Sequence, residues 1–256
     1  SIQSAPSDQG ESLPENYFGE HVAARYDVGT ADLSTPEVVA PVVDFIADLA
    51  GDGRALEFGV GTGRIALPLH ERGISVHGID LSAAMLERLR AKPGADSIGI
   101  TEGDFATTRV EGSFSVVFLV FNTINNLTTQ DEQVACFQNA ADHLEPGGHF
   151  VIEVLVPILR KLPPGESHHV FHMAEDSWGI DEYHFATQDF TSHHFAVRDG
   201  QLQRNSVPFR YVFPEELDLM ARLAEMTQVG RWAGWENEPF TDDSPKHVSV
   251  WRKEER

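Results

Sequence analysis

The sequence predicts an α/β fold: a parallel sheet whose strands alternate with helices, interrupted late by an inserted antiparallel β segment. Three observations carry that reading. Ala55–Pro68 runs as a short apolar strand, a turn with three glycines and the opening of a helix. Apolar runs and helix-start signals then alternate as far as Val156. From Pro157 to about Val212 the pattern becomes strand-like alternation with a hairpin signal, and one more helix and two strand segments follow.

Residues 1–15 are polar and aperiodic and are expected to form a flexible tail. Asn16–Asp27 differs, because Tyr17, Phe18 and Tyr26 punctuate a segment able to form a short helix over a cleft. Ser34-Thr35-Pro36-Glu37 is a helix start, with Thr35 at the N-cap and Pro36 first in the helix. Val38, Val39, Val42, Val43, Ile46 and Leu49 keep one face apolar to about Ala50, and Pro41 should bend or delay the helix. Gly51–Gly53 turns the chain into the strand Ala55–Phe58, after which Arg64–Arg72 should be helical.

Ile74–Ile79 is a second strand, ending at Asp80. Ser82 caps a helix with Met85, Leu86 and Leu89 inside, and Pro93-Gly94 stops it. Ser97–Thr101 is a third strand. Phe114–Phe121 is nearly all apolar, as a strand covered on both faces of a parallel sheet must be, and it ends in Asn122-Thr-Ile-Asn-Asn126. Thr129 and Glu132 form a capping box for a helix to Glu145, and Pro146-Gly147-Gly148 leads into the strand His149–Val156.

His168–Met173, Tyr183–Asp189, His193–Arg198 and Gln201–Tyr211 read as antiparallel strands, with Asp199-Gly200 as a hairpin turn. A sheet inserted there would stand above the strand ends as a lid, a homo-oligomer surface, or both. Pro214–Glu225 opens with proline and two acids, as a helix N-terminus favours, and Val229–Trp235 and His247–Trp251 can pair as a final hairpin. The expected layout is a cap and core over 16–156, an insertion over 157–212 and the end of the core sheet over 213–256.

Composition narrows the function. Lys and Arg number 19 against 40 Asp and Glu, a formal charge of −21, so the protein's field repels phosphate backbones and anionic membranes. No nucleic-acid or membrane partner is expected, and a cationic or neutral small molecule is favoured. The single cysteine, Cys136, excludes a disulfide framework and fits a reducing, cytoplasmic setting. No apolar run approaches the roughly 20 residues that span a bilayer. The paired histidines His168-His169 and His193-His194 lie on strands, where neighbours face opposite ways, so no metal site is expected.

Gly59, Gly61 and Gly63 give the backbone freedom to turn sharply under a ligand. Asp80, ending the next strand, can accept two hydrogen bonds from ribose hydroxyls. Together they make a nucleoside site. A dinucleotide fingerprint would want a third glycine where Arg64 stands, so the match to nicotinamide or flavin is imperfect.

Glu57-Phe-Gly-Val-Gly-Thr-Gly63, then Gly78-Ile-Asp80-Leu-Ser82, then Gly103-Asp104-Phe105 resembles the motif series of the class I S-adenosylmethionine-dependent methyltransferases, over roughly Leu56–Val156. The resemblance implies a Rossmann-like seven-stranded sheet with its last strand antiparallel, S-adenosylmethionine as cofactor, and methyl transfer. It puts Glu57, Gly59, Gly61 and Gly63 at the methionine part, Asp80 at the ribose, and Asp104 with Phe105 at the adenine, and Arg64, Leu81 and Phe121 join the cofactor contacts. Asn16–Asp27 looks like the N-terminal segment that closes many small-molecule methyltransferases. Tyr26 would then face the cofactor and Tyr17 the substrate. Asn122, off the carboxyl end of its strand, should face the transferred methyl group or its acceptor, which makes Tyr17, Tyr26 and Asn122 the catalytic candidates.

Insertion and N-terminal segment together resemble bacterial natural-product enzymes that methylate amines or hydroxyls of sugars and antibiotic scaffolds, lincosamide-type N-methyltransferases among them. Nitrogen is favoured over oxygen by the acidic charge and the lack of an obvious base. A peptide or protein methyltransferase, a nicotinamide-dependent oxidoreductase and a non-catalytic cofactor-binding protein remain alternatives.

Overall fold

The computed structural model describes residues 16–255, so the expected tail at 1–15 lies outside the described residues. Helix α1 (Glu20–Gly29) follows Tyr17-Phe18, and α2 (Pro36–Ala50) begins on its proline. Thr35 occupies the N-cap without a side-chain hydrogen bond, and Pro41 does not delay the helix: it lies in the second turn, where its missing N–H removes one ladder bond. The chain continues through β1 (Arg54–Phe58), α3 (Ala66–Glu71), β2 (Ser75–Asp80), α4 (Ala83–Arg90), β3 (Gly99–Glu102), β4 (Phe114–Leu119), α5 (Gln130–His143) and β5 (Leu144–Leu155). The inserted β6 (His168–Met173), β7 (Ser177–His184), β8 (Asp189–Arg198) and β9 (Gln201–Arg210) come next. Helix α6 (Pro214–Leu223), β10 (Met226–Trp232) and β11 (Lys246–Lys253) complete the main sheet.

That sheet has seven strands in the order β3-β2-β1-β4-β5-β11-β10. Strands β1 to β5 pair in parallel, and β11 lies antiparallel between β5 and β10. The expected Rossmann-like sheet with an antiparallel last strand is therefore present. Each face carries its own core. On one, Phe137 of α5 and Leu217 of α6 pack against Phe58, Phe150 and Trp251; on the other, Val43 and Ile46 of α2, Leu69 of α3 and Leu86 of α4 cover Val76 and Phe118.

Several boundaries depart from the sequence reading for local reasons. Helix α3 starts at Ala66 rather than Arg64, because Gly63 keeps the left-handed turn going. Strand β4 ends at Leu119, since both Phe121 and Asn122 adopt positive φ. Strand β5 takes in Pro146-Gly147-Gly148, which the alignment with β4 accommodates by a register shift between Phe114 and Val116. The segment Tyr183–Asp189 is not one strand but the end of β7, a turn with Gln188 at φ 59, and the first residue of β8; alternation alone does not reveal a turn without glycine or proline. At the other hairpin, Asp199 and Gly200 both take positive φ as their sequence requires.

The insertion is a separate antiparallel sheet in the order β6-β7-β8-β9. Its last strand packs on the 3-10 turn Thr123–Asn126 that follows β4. Gln133 of α5 locks this junction: its Nε2 donates to the carbonyls of Ile124, Leu127 and Arg210, and its Oε1 accepts from the Arg210 guanidinium. Arg210 in turn pairs with Glu216 of α6 at 2.7 Å. The site at the strand ends and the insertion are thereby held to one helix.

Candidate functional site

A cavity of about 370 Å³ opens off the carboxyl ends of β1 and β2, under α1. Gly59, Gly61 and Gly63 all have positive φ there. A Cβ on Gly59 would come within 2.5 Å of the Thr123 side chain, whereas one on Gly61 would meet almost nothing, so Gly61 is fixed by its backbone and leaves its side open. Asp80 ties this turn to the next helix: its Oδ2 accepts from Gly61 N and its Oδ1 from Ser82 N, each at 2.8 Å. Burial pushes the Asp80 carboxyl up, and those two amides oppose it. Ser82 caps α4 through Met85 N and donates to Phe18 O at 2.6 Å.

Helix α1 is latched to the glycine turn itself. Thr62 Oγ1 donates to Asp27 Oδ1 at 2.5 Å, and Lys92 Nζ bridges Asp27 Oδ2 and Thr62 O, both at 2.9 Å. Asp27 is held below the usual carboxylate range by these partners, which outweigh its own desolvation. The latch brings Tyr26 onto the cavity, where burial raises its hydroxyl, and Tyr17 lies on the same wall. At the other end, Asp104 and Phe105 follow β3; Asp104 Oδ1 accepts from Ala106 N, and Phe105 stacks on Phe58 with centroids 5.8 Å apart. Burial raises the Asp104 carboxyl too.

Tyr17, Tyr26, Gly59, Gly61, Asp80 and Leu81 thus share one cavity, and Asp104 and Phe105 line it as well. Glu57 and Gly63 do not line it. Glu57, only 3% exposed on β1, has no partner for its Oε2, and burial pushes its carboxyl up to about 8 against the opposing charge of Arg64. Gly63 lies against Leu89 and Leu67.

Arg64, Phe121 and Asn122 line a different cavity, of about 310 Å³, off the ends of β4 and β5. Arg64 NH1 donates to Leu33 O at 3.1 Å, and its guanidinium lies 5.5 Å from the Phe121 ring centroid. Phe121 and Asn122 have φ of 57° and 63°, a conformation costing about 1–2 kcal/mol per L residue, least for Asn. Asn122 Oδ1 accepts from Leu155 N at 2.7 Å. Its carbonyl-bearing end is therefore engaged by backbone, and from the asparagine cluster it is Asn126, with Thr123, that reaches the first cavity.

Sequence reasoning missed other lining residues. Thr128 and Glu132 belong to the capping box, which reads as a helix start and nothing more, while Pro208 arrives from β9 and no local signal could place it.

The methyltransferase domain family matches residues 55–148, the span from β1 to the start of β5. The CcbJ methyltransferase from Streptomyces caelestis is 35% identical, and its structure superposes with a TM-score of 0.83 over 93% of this chain and 98% of that one. The chain belongs to the class I S-adenosylmethionine-dependent methyltransferases.

Among other relatives of this methyltransferase, the cypemycin N-terminal methyltransferase of a Streptomyces species is 27% identical over 217 residues, covering 79% of this chain and 84% of its own. The S-adenosylmethionine-bound amino pentose methyltransferase CalS10 from Micromonospora echinaspora shares the fold, at 20% identity and a TM-score of 0.66 over 96% of this chain and all of that one. The oxidoreductase alternative falls with the family assignment. The methyltransferase uses S-adenosylmethionine, and the first cavity suits it: an open glycine turn and a carboxylate already oriented by two amides. Among the described residues no helix is long and apolar enough to cross a membrane.

Proposed function

We propose that this methyltransferase moves the methyl group of S-adenosylmethionine to a nitrogen, or an oxygen, of a small molecule in natural-product or antibiotic biosynthesis. The observation that carries the reading is the near full-length likeness to the Streptomyces methyltransferases, joined to a charge of −21 that repels nucleic acids and anionic membranes. Nitrogen is favoured by the relative that is named for methylating an N-terminus. The same relative supports a second reading, in which the acceptor is the amine of a peptide.

Asp80 would hold the ribose and, with Leu81 and Phe105, border the adenosyl group, whose amino group Asp104 would reach. Gly59, Gly61 and Gly63 would pass beneath the methionine part, with Glu57 opposite its ammonium and Arg64 opposite its carboxylate. When bound, the sulfonium supplies an electrophilic methyl carbon. Tyr26 faces the cofactor and Tyr17 the acceptor; Tyr26 from α1 and Tyr17 from the segment just before it exclude water from the site. Asn122 acts by fixing the turn beside the acceptor. The tyrosine hydroxyl of Tyr26 keeps its proton at neutral pH, since burial raises it, so it orients and does not serve as a base.

The insertion, with Val170, Phe171, Met173 and Leu202 exposed, would also serve as a homo-oligomer surface. The single cysteine, Cys136, is buried in the core and fits the reducing cytoplasm. Titration calorimetry with S-adenosylmethionine, S-adenosylhomocysteine and NADH, followed by mass analysis of amines and alcohols offered with the cofactor, tests the reading. Binding of both adenosyl compounds and a methylated small molecule are expected. Methylation of proteins alone would replace the small-molecule acceptor.

A further inference from the structure

Asp104 and Phe105 line the first cavity from the connection between β3 and β4, residues 103–113, which contains no helix or strand. A loop that reads a ligand needs rigid support, because a looseness of about 1 Å at a hydrogen-bonding group is enough to lose the contact. Part of that support is local. Asp104 O accepts from Thr107 N at 3.0 Å and from Thr108 N at 2.7 Å, and Asp104 Oδ1 accepts from Ala106 N at 2.8 Å. The turn is wound around Asp104 itself, which leaves Oδ2 for a donor in the cavity.

The rest comes from α5. Asn139, 1% exposed, donates from Nδ2 to Phe105 O at 2.7 Å and to Thr108 O at 3.0 Å. One helical turn on, buried His143 donates from Nδ1 to Asn139 O at 2.8 Å and accepts at Nε2 from Val110 N at 3.0 Å. A backbone amide can only donate, so this contact fixes the tautomer, with the lone pair on Nε2 and the proton on Nδ1. Burial holds the imidazole below its ordinary value, which keeps that lone pair available at neutral pH. The His143 ring also meets Phe58 edge-on at 6.3 Å, and Phe58 is the ring on which Phe105 stacks.

Two features separate this pair from ordinary core packing. The bonds that the two side chains make outside their own helix end on residues 105, 108 and 110. Asn139 Oδ1 is buried without a partner, a cost of about 1–3 kcal/mol that is offset by what Nδ2 does for the two loop carbonyls.

We propose that Asn139 and His143 are positioning residues for recognition of the adenine base: neither lines the cavity, and together they hold residues 105–110 so that Asp104 and Phe105 present one geometry to the base. The inference rests on the placement of the adenine at Asp104 and Phe105. A purine with an amino group at C6 offers Asp104 a donor, whereas one with a carbonyl there sets an acceptor against the carboxylate. Preference between the two therefore reads the position of the loop. A merely structural role would weaken both ligands alike and leave their ratio unchanged.

The test is calorimetry on the full chain with S-adenosylhomocysteine and S-inosylhomocysteine, which differ only in the base. The parent should prefer the adenine compound at least about tenfold. Asn139→Leu and His143→Leu should each reduce that preference to about threefold or less while S-adenosylhomocysteine still binds. His143→Gln, whose amide oxygen can accept from Val110 N in place of Nε2, should keep the preference within about twofold of the parent. A preference unchanged in either leucine variant would overturn the proposal, and so would equal preferences in His143→Leu and His143→Gln. The two positions are tested separately, so if one variant misfolds the other decides. A parent that binds both compounds equally would instead refute the placement of the adenine, and a parent that binds neither would refute the cofactor site itself.

Discussion

Cofactor binding should expel a proton, and Glu57 is the reason. Its carboxyl is buried in β1 with one oxygen unpartnered and is pushed up to about 8 from an ordinary 4.5. Near neutral pH the ligand-free folded protein therefore keeps a proton that the unfolded chain has released. Because the folded value is the raised one, the stability that this group contributes is complete below about pH 4.5 and is lost as pH rises through about 8. The gap, 8 − 4.5 = 3.5, at about 1.36 kcal/mol per pH unit, caps the loss at about 5 kcal/mol. An ammonium placed opposite Glu57 restores the ionised carboxylate, so binding at about pH 6.5 should release close to one proton per site. Calorimetry with S-adenosylhomocysteine in phosphate and in Tris, whose ionisation heats differ, reads that proton directly. Glu57→Gln should give the same heat in both buffers, bind more weakly, and no longer show this alkaline loss of melting temperature. A parent protein whose binding heat did not depend on the buffer would refute the reasoning.

Other residues yield separate expectations. Asp80→Ala removes the acceptor for two backbone amides as well as the ribose partner, and should lower S-adenosylhomocysteine affinity by at least about a hundredfold in calorimetry. Asn122→Ala should leave that affinity unchanged but reduce turnover, and cost about 1–2 kcal/mol in urea unfolding, because alanine tolerates the left-handed turn less well. Gln133→Ala takes one acceptor from the Arg210 guanidinium, which keeps Glu216, and one donor from three carbonyls, of which that of Ile124 keeps Leu127 N, so a loss of about 2 kcal/mol, or roughly 6 °C in melting temperature, is expected.

The parts of the site that were legible in the sequence are those made by one short stretch each. Gly59 and Gly61 with Asp80, and Asp104 with Phe105, stand at strand ends, where the order of the sheet delivers them to a common cavity whatever the rest of the chain does. The sequence groups Arg64, Phe121 and Asn122 with those residues by position, but the structure puts them on the second cavity. That placement depends on the hand of the backbone at 121–122, and neither Phe nor Asn announces two left-handed residues in a row. Pro208, Gln133 and Glu153 carried no signal at all, because each acts across a fold contact between segments distant in sequence: β9 on the 3-10 turn, α5 on Arg210, β5 on Trp235 and Lys246. The lining of the first cavity is largely a matter of motif, and that of the second a matter of topology.

The place of β11 has a consequence for how the molecule assembles. Strand β5 cannot complete its second edge until β11 arrives, and the whole insertion, α6 and β10 lie between them in the chain. The four inserted strands form only neighbour-to-neighbour hairpins, so they can zip early and by themselves, whereas His149–Leu155 must wait with open amides and carbonyls for a partner that is remote in sequence. During refolding the exposed edge of β5 is the surface most prone to pair with another molecule. Aggregation should therefore compete at this step, and a short peptide copying Lys246–Lys253 should slow recovery of the native sheet by occupying the edge first.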